Sequence, residues 1–258
     1  FEHQPVILSI AAKIAQVIVD ENIEIIHAHY ALPHSICAYL ARQIIKRDIK
    51  IVTTLHGTDI SVVGIDKTYF DIVKFGIEIS DGVTAVSKYL KDLTIKDFSP
   101  YREIEVIHNF VDPEVYKPGN LYCKMHLTKS ENEKVVMHVS NFRKYKNVVA
   151  VIDIFEKILN EVPSKLVLVG DGPEMINVRE AVFKKKLEKK VHYLGTQSKV
   201  ECILPGADLF LFPSKEESFG LALLEAMSCG VSFVASNIGG ISEVTGNSFQ
   251  EYLFNPDD

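Results

Sequence analysis

The chain has 258 residues, 47% of them hydrophobic and 24% charged, a composition suited to a soluble globular fold with a sizeable core. With 28 Lys and Arg against 34 Asp and Glu the net charge is −6, which excludes wholesale neutralisation of a nucleic-acid backbone and requires any anionic ligand to be met by a local cluster of cations. Cys37, Cys123, Cys202 and Cys229 show no CxxC spacing, and neither an apolar run of about 18 residues nor a basic-then-apolar leader is found, so the reading expects no zinc ribbon, disulfide framework or membrane helix, and a cytoplasmic protein.

Residues 1–22 lack an initiator Met and run at once into a helical pattern, with Ile7, Ile10 or Ala11, Ile14 and Ile18 on one face, which leads to the expectation of a piece of a longer chain. Short apolar runs at 24–30, 49–56, 82–87 and 104–109 then read as strands. Between them, 33–46 reads as a helix opened by Pro33, and 69–79 and 88–98 as further helices. Strands apolar on both faces that alternate with helices predict a parallel sheet. The polar stretch from 109 to 133, with two prolines and a glycine, reads as a connector. Alternation resumes with strands at 134–141, 164–172, 190–195, 208–214 and 231–237 and helices near 147–161, 173–188, 198–206 and 219–229. The expected architecture is α/β: two Rossmann-like doubly wound parallel-sheet domains, 1–112 and 134–258, joined by a linker at 113–133, incomplete at both ends, and binding ligand in a cleft between them.

The stretch "KEESFGLALLEAMSCG" (215–230) places Glu217 just before an expected helix and Glu225 two turns into it. Ser218 reads as the N-cap, leaving the amides of Phe219, Gly220 and Leu221 to seat a phosphate. If the segment is mostly helical, the two carboxylates stand roughly 10 Å apart, about the span from sugar to sugar across a diphosphate. Glu217 then fits the hydroxyls of a transferred sugar and Glu225 those of a ribose. Spacing alone leaves open an ordinary capped helix with Glu225 on its surface.

"VSNFRKYKN" (139–147) sets Arg143, Lys144 and Lys146 directly after the first strand of the second domain, where they can neutralise a leaving diphosphate or form a solvated basic turn. "HGTD" (56–59) sets His56 at a strand end in the first domain, with Gly57 allowing a tight turn. His27 and His29 share one strand face, but no third ligand stands at metal spacing. "GDGPE" (170–174) reads equally as nucleotide contact or as a tight strand-to-helix turn, and the Gly pair at 239–240 is weak by itself.

Together these motifs resemble the retaining GT-B glycosyltransferases of family 4, in the order "HGTD", basic pair, "GDGPE" and "EESFGLALLE", over nearly the whole chain. "HAHYALPHSICAYLA", "TTLHGTDI", "VSNFRK" and "SKEESFGL" resemble the family's malate-accepting branch. The resemblance implies transfer of N-acetylglucosamine from UDP-N-acetylglucosamine to L-malate, the first step of bacillithiol biosynthesis, with no cofactor, no required metal and a possible homo-oligomer. By the same resemblance Glu217 holds the donor sugar, Glu225 the ribose, Phe219 and Gly220 the sugar and phosphate, and Arg143 and Lys146 the diphosphate. His56 stands near the sugar's C6, and Tyr30 and Thr54 meet the acceptor. Lys190 is a candidate cation for an acceptor carboxylate. Ser140 and Asn141 replace the family's usual Gly-Arg, so Arg143 has to supply the charge. The family's N-terminal glycine-rich loop and C-terminal crossing helices have no counterpart in the 258 residues. Three alternatives remain: a saccharide or lipid acceptor, a sugar-nucleotide epimerase of the same architecture, and a non-catalytic sugar-nucleotide binding module.

Overall fold

A computed structural model describes residues 6–119, 124, 127–128 and 132–256. Their packing divides the chain into two compact units, 1–109 and 110–258. The polar connector at 109–133 lies partly outside the described residues, as does Cys123; Cys37, Cys202 and Cys229 are free thiols.

The first unit runs α1 (Val6–Asp20), β1 (Ile25–His29), α2 (Ile36–Ile45), β2 (Lys50–Leu55), α3 (Phe70–Glu78), β3 (Gly82–Ala85), α4 (Lys88–Phe98) and β4 (Ile104–Val106). Its four strands are all parallel and lie in sequence order, so the described sheet winds in one direction only. Buried Ile51, Leu55, Val83 and Ala85 supply the apolar strand faces expected between helices. Helix α1 seats Ala11, Ala15 and Ile18 in the core, whereas Ile7, read from the sequence as part of that face, is 40% exposed. The helix expected from Pro33 begins three residues later. Leu32, extended at φ −131° and ψ 132° as a residue before proline prefers, breaks Ala31–Ser35 into an irregular turn ahead of Ile36. Gly76 of α3 makes room for that turn: a Cβ there would stand 2.5 Å from Ser35 Oγ and 2.6 Å from the Ala31 carbonyl oxygen.

The second unit contains β5 (Lys134–Val139), α5 (Val148–Glu161), β6 (Ser164–Val169), α6 (Met175–Lys184), β7 (Val191–Gly195), β8 (Leu209–Phe212), α7 (Leu221–Ser228), β9 (Ser232–Ser236), α8 (Ile241–Thr245) and β10 (Leu253–Phe254). The strands are parallel in the order β10-β9-β8-β5-β6-β7. The chain winds outward from β5 to β7, returns to β8, and winds outward the other way, which makes this sheet doubly wound with its switch point between β5 and β8. Alternate strand residues enter opposite cores: Val135 and Met137 pack with Phe210, Phe212 and Leu223, while Val136 packs with Phe142, Phe155 and Leu168. The helix expected at 198–206 is instead two short 3₁₀ turns, Val200–Cys202 and Leu204–Gly206, because Pro205 cannot donate within a helix and Gly206 follows it. Helix α8 and β10 went unread: five and two residues carry too little periodicity.

Among the described residues no helix is long and apolar enough to cross a membrane.

Candidate functional site

In an open α/β sheet the carboxyl ends of the strands at the switch point form a natural ligand crevice. In the second unit those are the ends of β5 and β8, and the loops leaving them carry most of the residues picked out in sequence. After β5 the chain is anchored by the fully buried Phe142. Below it, His138 is buried outright: its Nδ1 lies 2.8 Å from the Leu211 carbonyl oxygen and its Nε2 2.8 Å from Ser140 Oγ. A carbonyl only accepts, so Nδ1 carries the proton and Nε2 accepts from the Ser140 hydroxyl. Burial, opposed by the bond to Leu211 and reinforced by nearby Lys146, pushes this imidazole down to about 4.

The sign of the resulting pH effect follows from linkage. The unfolded chain binds a proton on this residue below the ordinary imidazole range near 6.5, the folded chain only near 4, so stability is complete above the first value and is lost as pH falls toward the second. Urea unfolding of the wild type is expected to weaken over that window, and a His138→Asn variant to weaken less steeply; equal slopes would rule out His138 as the source.

The basic segment is a single 3₁₀ turn, Lys144–Lys146, closed by Lys146 N–H donating to the Arg143 carbonyl at 2.8 Å. Lys215 N–H donates to the Tyr145 carbonyl at 2.7 Å and ties this turn to the loop after β8. There the Lys146 ammonium meets Glu217: Nζ lies 2.5 Å from Oε2, with side chains 15% and 10% exposed, and Nζ stands 5.7 Å from the Phe212 ring centre. Two residues 71 positions apart, each chosen from sequence, thus form one shielded ion pair. Arg143 is exposed and makes no ion pair among the described residues.

The loop from 213 to 220 differs from the expectation in one respect. Ser218 does not cap the helix. Gly220 does, at φ 101°, and α7 starts at Leu221, so Glu217 stands in irregular chain and the helical estimate of the Glu217–Glu225 span does not apply. The cap favours glycine through its positive φ; a Cβ there would also stand 2.6 Å from Ile241 Cδ1, a side-chain end that would have to shift. The amides of Gly220 and Leu221 donate to no acceptor among the described residues, as the opening of a helix dictates. Phe219 is 5% exposed. Gly240 N–H donates to the Glu217 carbonyl at 3.1 Å, and a Cβ at Gly240 would stand 2.4 Å from the Ser218 carbonyl oxygen, so the glycine pair serves as the bed of this loop.

Glu225 lies half-buried on α7 and accepts a hydrogen bond from the Tyr116 hydroxyl; burial pushes its carboxyl up, while that bond acts the other way. Tyr116 is itself pushed up to about 12, by burial first and then by the Glu225 charge. Its carbonyl accepts from Ser228 Oγ at 2.5 Å. Sequence reasoning missed Tyr116, one of three aromatics in the connector at 109–133, and nothing in its neighbours marked it out. In the "GDGPE" turn Glu174 N–H donates to the Phe142 carbonyl at 2.9 Å, so the turn braces the basic loop. Lys190 is misplaced by the sequence reading. It precedes β7, at the amino edge of the sheet, and its Nζ lies 2.8 Å from Glu133 Oε1.

In the first unit the candidate residues gather at the ends of β1 and β2. His29 Nδ1 lies 2.8 Å from His56 Nε2, and the Tyr30 and His56 ring centres are 4.9 Å apart. Thr54, 8% exposed, has its hydroxyl 2.7 Å from both His27 Nε2 and Thr84 Oγ1. Asp59 is buried beneath this group and accepts from the backbone amides of Ala31, His56 and Gly57, which fixes the "HGTD" turn against Tyr30. Among the described residues no group of three His, Cys, Asp or Glu is placed to hold a metal ion.

Residues 1–115 match the family model described as Glycosyltransferase Family 4, and residues 124–258 that described as Glycosyl transferases group 1. N-acetyl-alpha-D-glucosaminyl L-malate synthase of Bacillus anthracis is 47% identical over 254 residues, which are 98% of this chain and 67% of that protein. The chain belongs to the family 4 glycosyltransferases. Over 96% of its length this glycosyltransferase is also 27% identical to the GPI3 subunit of the phosphatidylinositol N-acetylglucosaminyltransferase of Saccharomyces cerevisiae, of which it spans 56%. In fold it is similar to Anabaena HepE solved with UDP and glucose, at a TM-score of 0.83 and 23% identity over 96% of this chain and 68% of that one. The fold is accordingly GT-B, with two parallel-sheet α/β domains.

Proposed function

We propose that this glycosyltransferase moves N-acetylglucosamine from UDP-N-acetylglucosamine to the hydroxyl of L-malate with retention at the anomeric carbon, as the first step of bacillithiol biosynthesis. The observation that carries the choice of substrates is the 47% identity, over 98% of the chain, to a protein named for that product. The second unit supports a donor half-site. The free amides that open α7 and the cations Lys146 and Arg143 suit a diphosphate, Glu217 suits the sugar hydroxyls, and Glu225, held by Tyr116, suits the ribose. The first unit supports an acceptor half-site around Tyr30, Thr54 and His56.

In this reading the bond from the anomeric carbon to the diphosphate oxygen breaks as the malate hydroxyl oxygen attacks the same face. The hydroxyl proton passes to a departing phosphate oxygen, and UDP leaves. The chain's task is to stabilise the negative charge that grows on the diphosphate, which Lys146, Arg143 and the positive end of α7 meet without a protein nucleophile. The test is mass spectrometry of products when the full-length enzyme is offered UDP-N-acetylglucosamine with L-malate and, separately, with other hydroxy acids. A malate glycoside of retained anomeric configuration is expected; consumption of donor without malate, or transfer only to another acceptor, would overturn the assignment.

A further inference from the structure

Glu225 has two neighbours that no motif announced. Tyr116, half-buried in an exposed stretch of the connector, donates its hydroxyl to the Glu225 carboxylate, and Glu201, on the 3₁₀ turn Val200–Cys202, sets a second negative charge close to both. The phenol is fixed by its surroundings. Tyr116 N–H donates to the Asp112 carbonyl at 2.8 Å, in a turn that Asp112 Oδ1 also closes by accepting from Glu114 N–H at 2.8 Å. Ser228 Oγ, at the end of the same helix as Glu225, donates to the Tyr116 carbonyl, and Pro118 packs over Gly230, its Cγ 3.3 Å from where a Cβ would stand. The ring lies against the core that holds Leu223 and Ala226 of α7. The segment 112–118 is thereby clamped to the C-terminal end of the helix that carries Glu225.

A carboxylate only accepts, and its two oxygens offer about four lone-pair sites. Tyr116 takes one and leaves enough for both hydroxyls of a ribose, whereas a protonated Glu225 would give up an acceptor; the ionised form holds the diol best. Burial pushes the Glu225 carboxyl up first, the Tyr116 bond pulls it down, and Glu201 pushes it up again. Tyr116 remains a donor throughout, since burial and then the Glu225 charge push it up to about 12, with Glu201 and Cys229 adding to the effect. Of the other elements packed on α7, β8, β9 and Leu204–Gly206 carry no titratable side chain, and α8 carries only Glu243. We propose that Tyr116 is a positioning residue for the nucleotide: its hydroxyl, anchored through Asp112, Ser228 and Pro118, turns the Glu225 carboxylate toward the ribose diol and keeps it an acceptor, while Glu201 works against it. The proposal rests on Glu225 as the ribose contact and adds the group that prepares it. Linkage gives the sign. Nucleotide affinity that depends on ionised Glu225 is full above its midpoint and falls, by at most about tenfold per pH unit, as pH drops through it. Without the Tyr116 hydroxyl the loss begins at higher pH, and without the Glu201 charge it begins at lower pH.

The test is calorimetric titration of the full-length enzyme with UDP and with 2′,3′-dideoxyuridine diphosphate between about pH 4.5 and about pH 8, in the wild type, Tyr116→Phe, Glu201→Gln and Glu225→Gln. Titration of the diphosphate itself is common to all four, so differences between them belong to the protein. Tyr116→Phe is expected to weaken UDP by about tenfold at neutral pH, the scale of one hydrogen bond to a charged group, and to move the acid limb upward, whereas Glu201→Gln moves it downward. The dideoxy ligand lacks the diol and should bind wild type and Tyr116→Phe alike, which also shows the fold intact. UDP affinity and acid limb unchanged in Tyr116→Phe, with affinity lost in Glu225→Gln, overturn the positioning role and leave the ribose reading standing. Equal weakening of both ligands by Tyr116→Phe makes the hydroxyl structural and overturns the proposal as well. UDP binding undiminished in Glu225→Gln overturns the ribose reading and the proposal with it.

Discussion

Replacing Lys146 with alanine is expected to lower turnover by about 10² to 10³, the scale on which one preorganised cation or donor supports charge growing on a leaving group. The same change leaves Glu217, 10% exposed, without the ammonium 2.5 Å from it. An unpaired carboxylate in that position costs stability, by about 3 kcal/mol at most if it stays as shielded as it is in the pair. Loss of activity and loss of fold therefore have to be separated. The double variant Lys146→Met with Glu217→Gln removes both charges at nearly constant volume and is expected to recover most of the stability lost by the single change, since neutral partners no longer require each other. Its activity is expected to stay low, because the charge on the diphosphate is still unmet. Urea midpoints together with steady-state kinetics of the single and double variants decide the matter. Wild-type turnover in Lys146→Ala would remove the cation from the chemistry, and activity that returned with stability in the double variant would assign the pair a purely structural role.

That pair also shows how far the sequence could be read. Position relative to strand ends was legible, because in a parallel sheet every strand's carboxyl end emerges on one side; hence Arg143, Lys146 and Glu217 were correctly set on loops leaving β5 and β8. Strand order was not legible. Adjacency of β5 and β8, which brings Lys146 to Glu217, is a fact of the switch point that no local pattern encodes. The cap at Gly220 rather than Ser218 was hidden for a related reason: serine is the better cap by side chain, and the φ of 101° that favours glycine at 220 is set by the loop around it, with Ile241, twenty-one residues on, packed against the position. Tyr116 and Lys190 make the same point in opposite directions. One looked like connector and holds Glu225; the other looked available and is engaged with Glu133 at the far edge of the sheet.

The basic loop owes its shape to a neighbour as much as to its own residues, and Gly170 is where that dependence is sharpest. It sits at φ 117°, and a Cβ built there would lie 1.8 Å from the Ser140 carbonyl oxygen and 3.0 Å from its carbon. Neither atom is the end of a flexible side chain, so Gly170→Ala must move backbone. The residue that has to yield is the one whose hydroxyl His138 fixes and whose chain leads directly into Arg143 and Lys146. Gly195 provides the comparison within the same sheet: φ is 64°, and nothing lies within 4 Å of a built Cβ, so Gly195→Ala meets only the backbone preference, about 1 kcal/mol. Gly170→Ala adds displacement of the Ser140 backbone to a less favourable φ and is expected to cost about 3 kcal/mol or more. It should also weaken UDP binding, measured by calorimetry, because the cations move with the loop, whereas Gly195→Ala should bind UDP as the wild type does. Equal stability of the two variants would mean that the loop relaxes freely around Gly170. Unchanged UDP affinity in a destabilised Gly170→Ala would separate the loop from the nucleotide and return the "GDGPE" turn to a structural role alone.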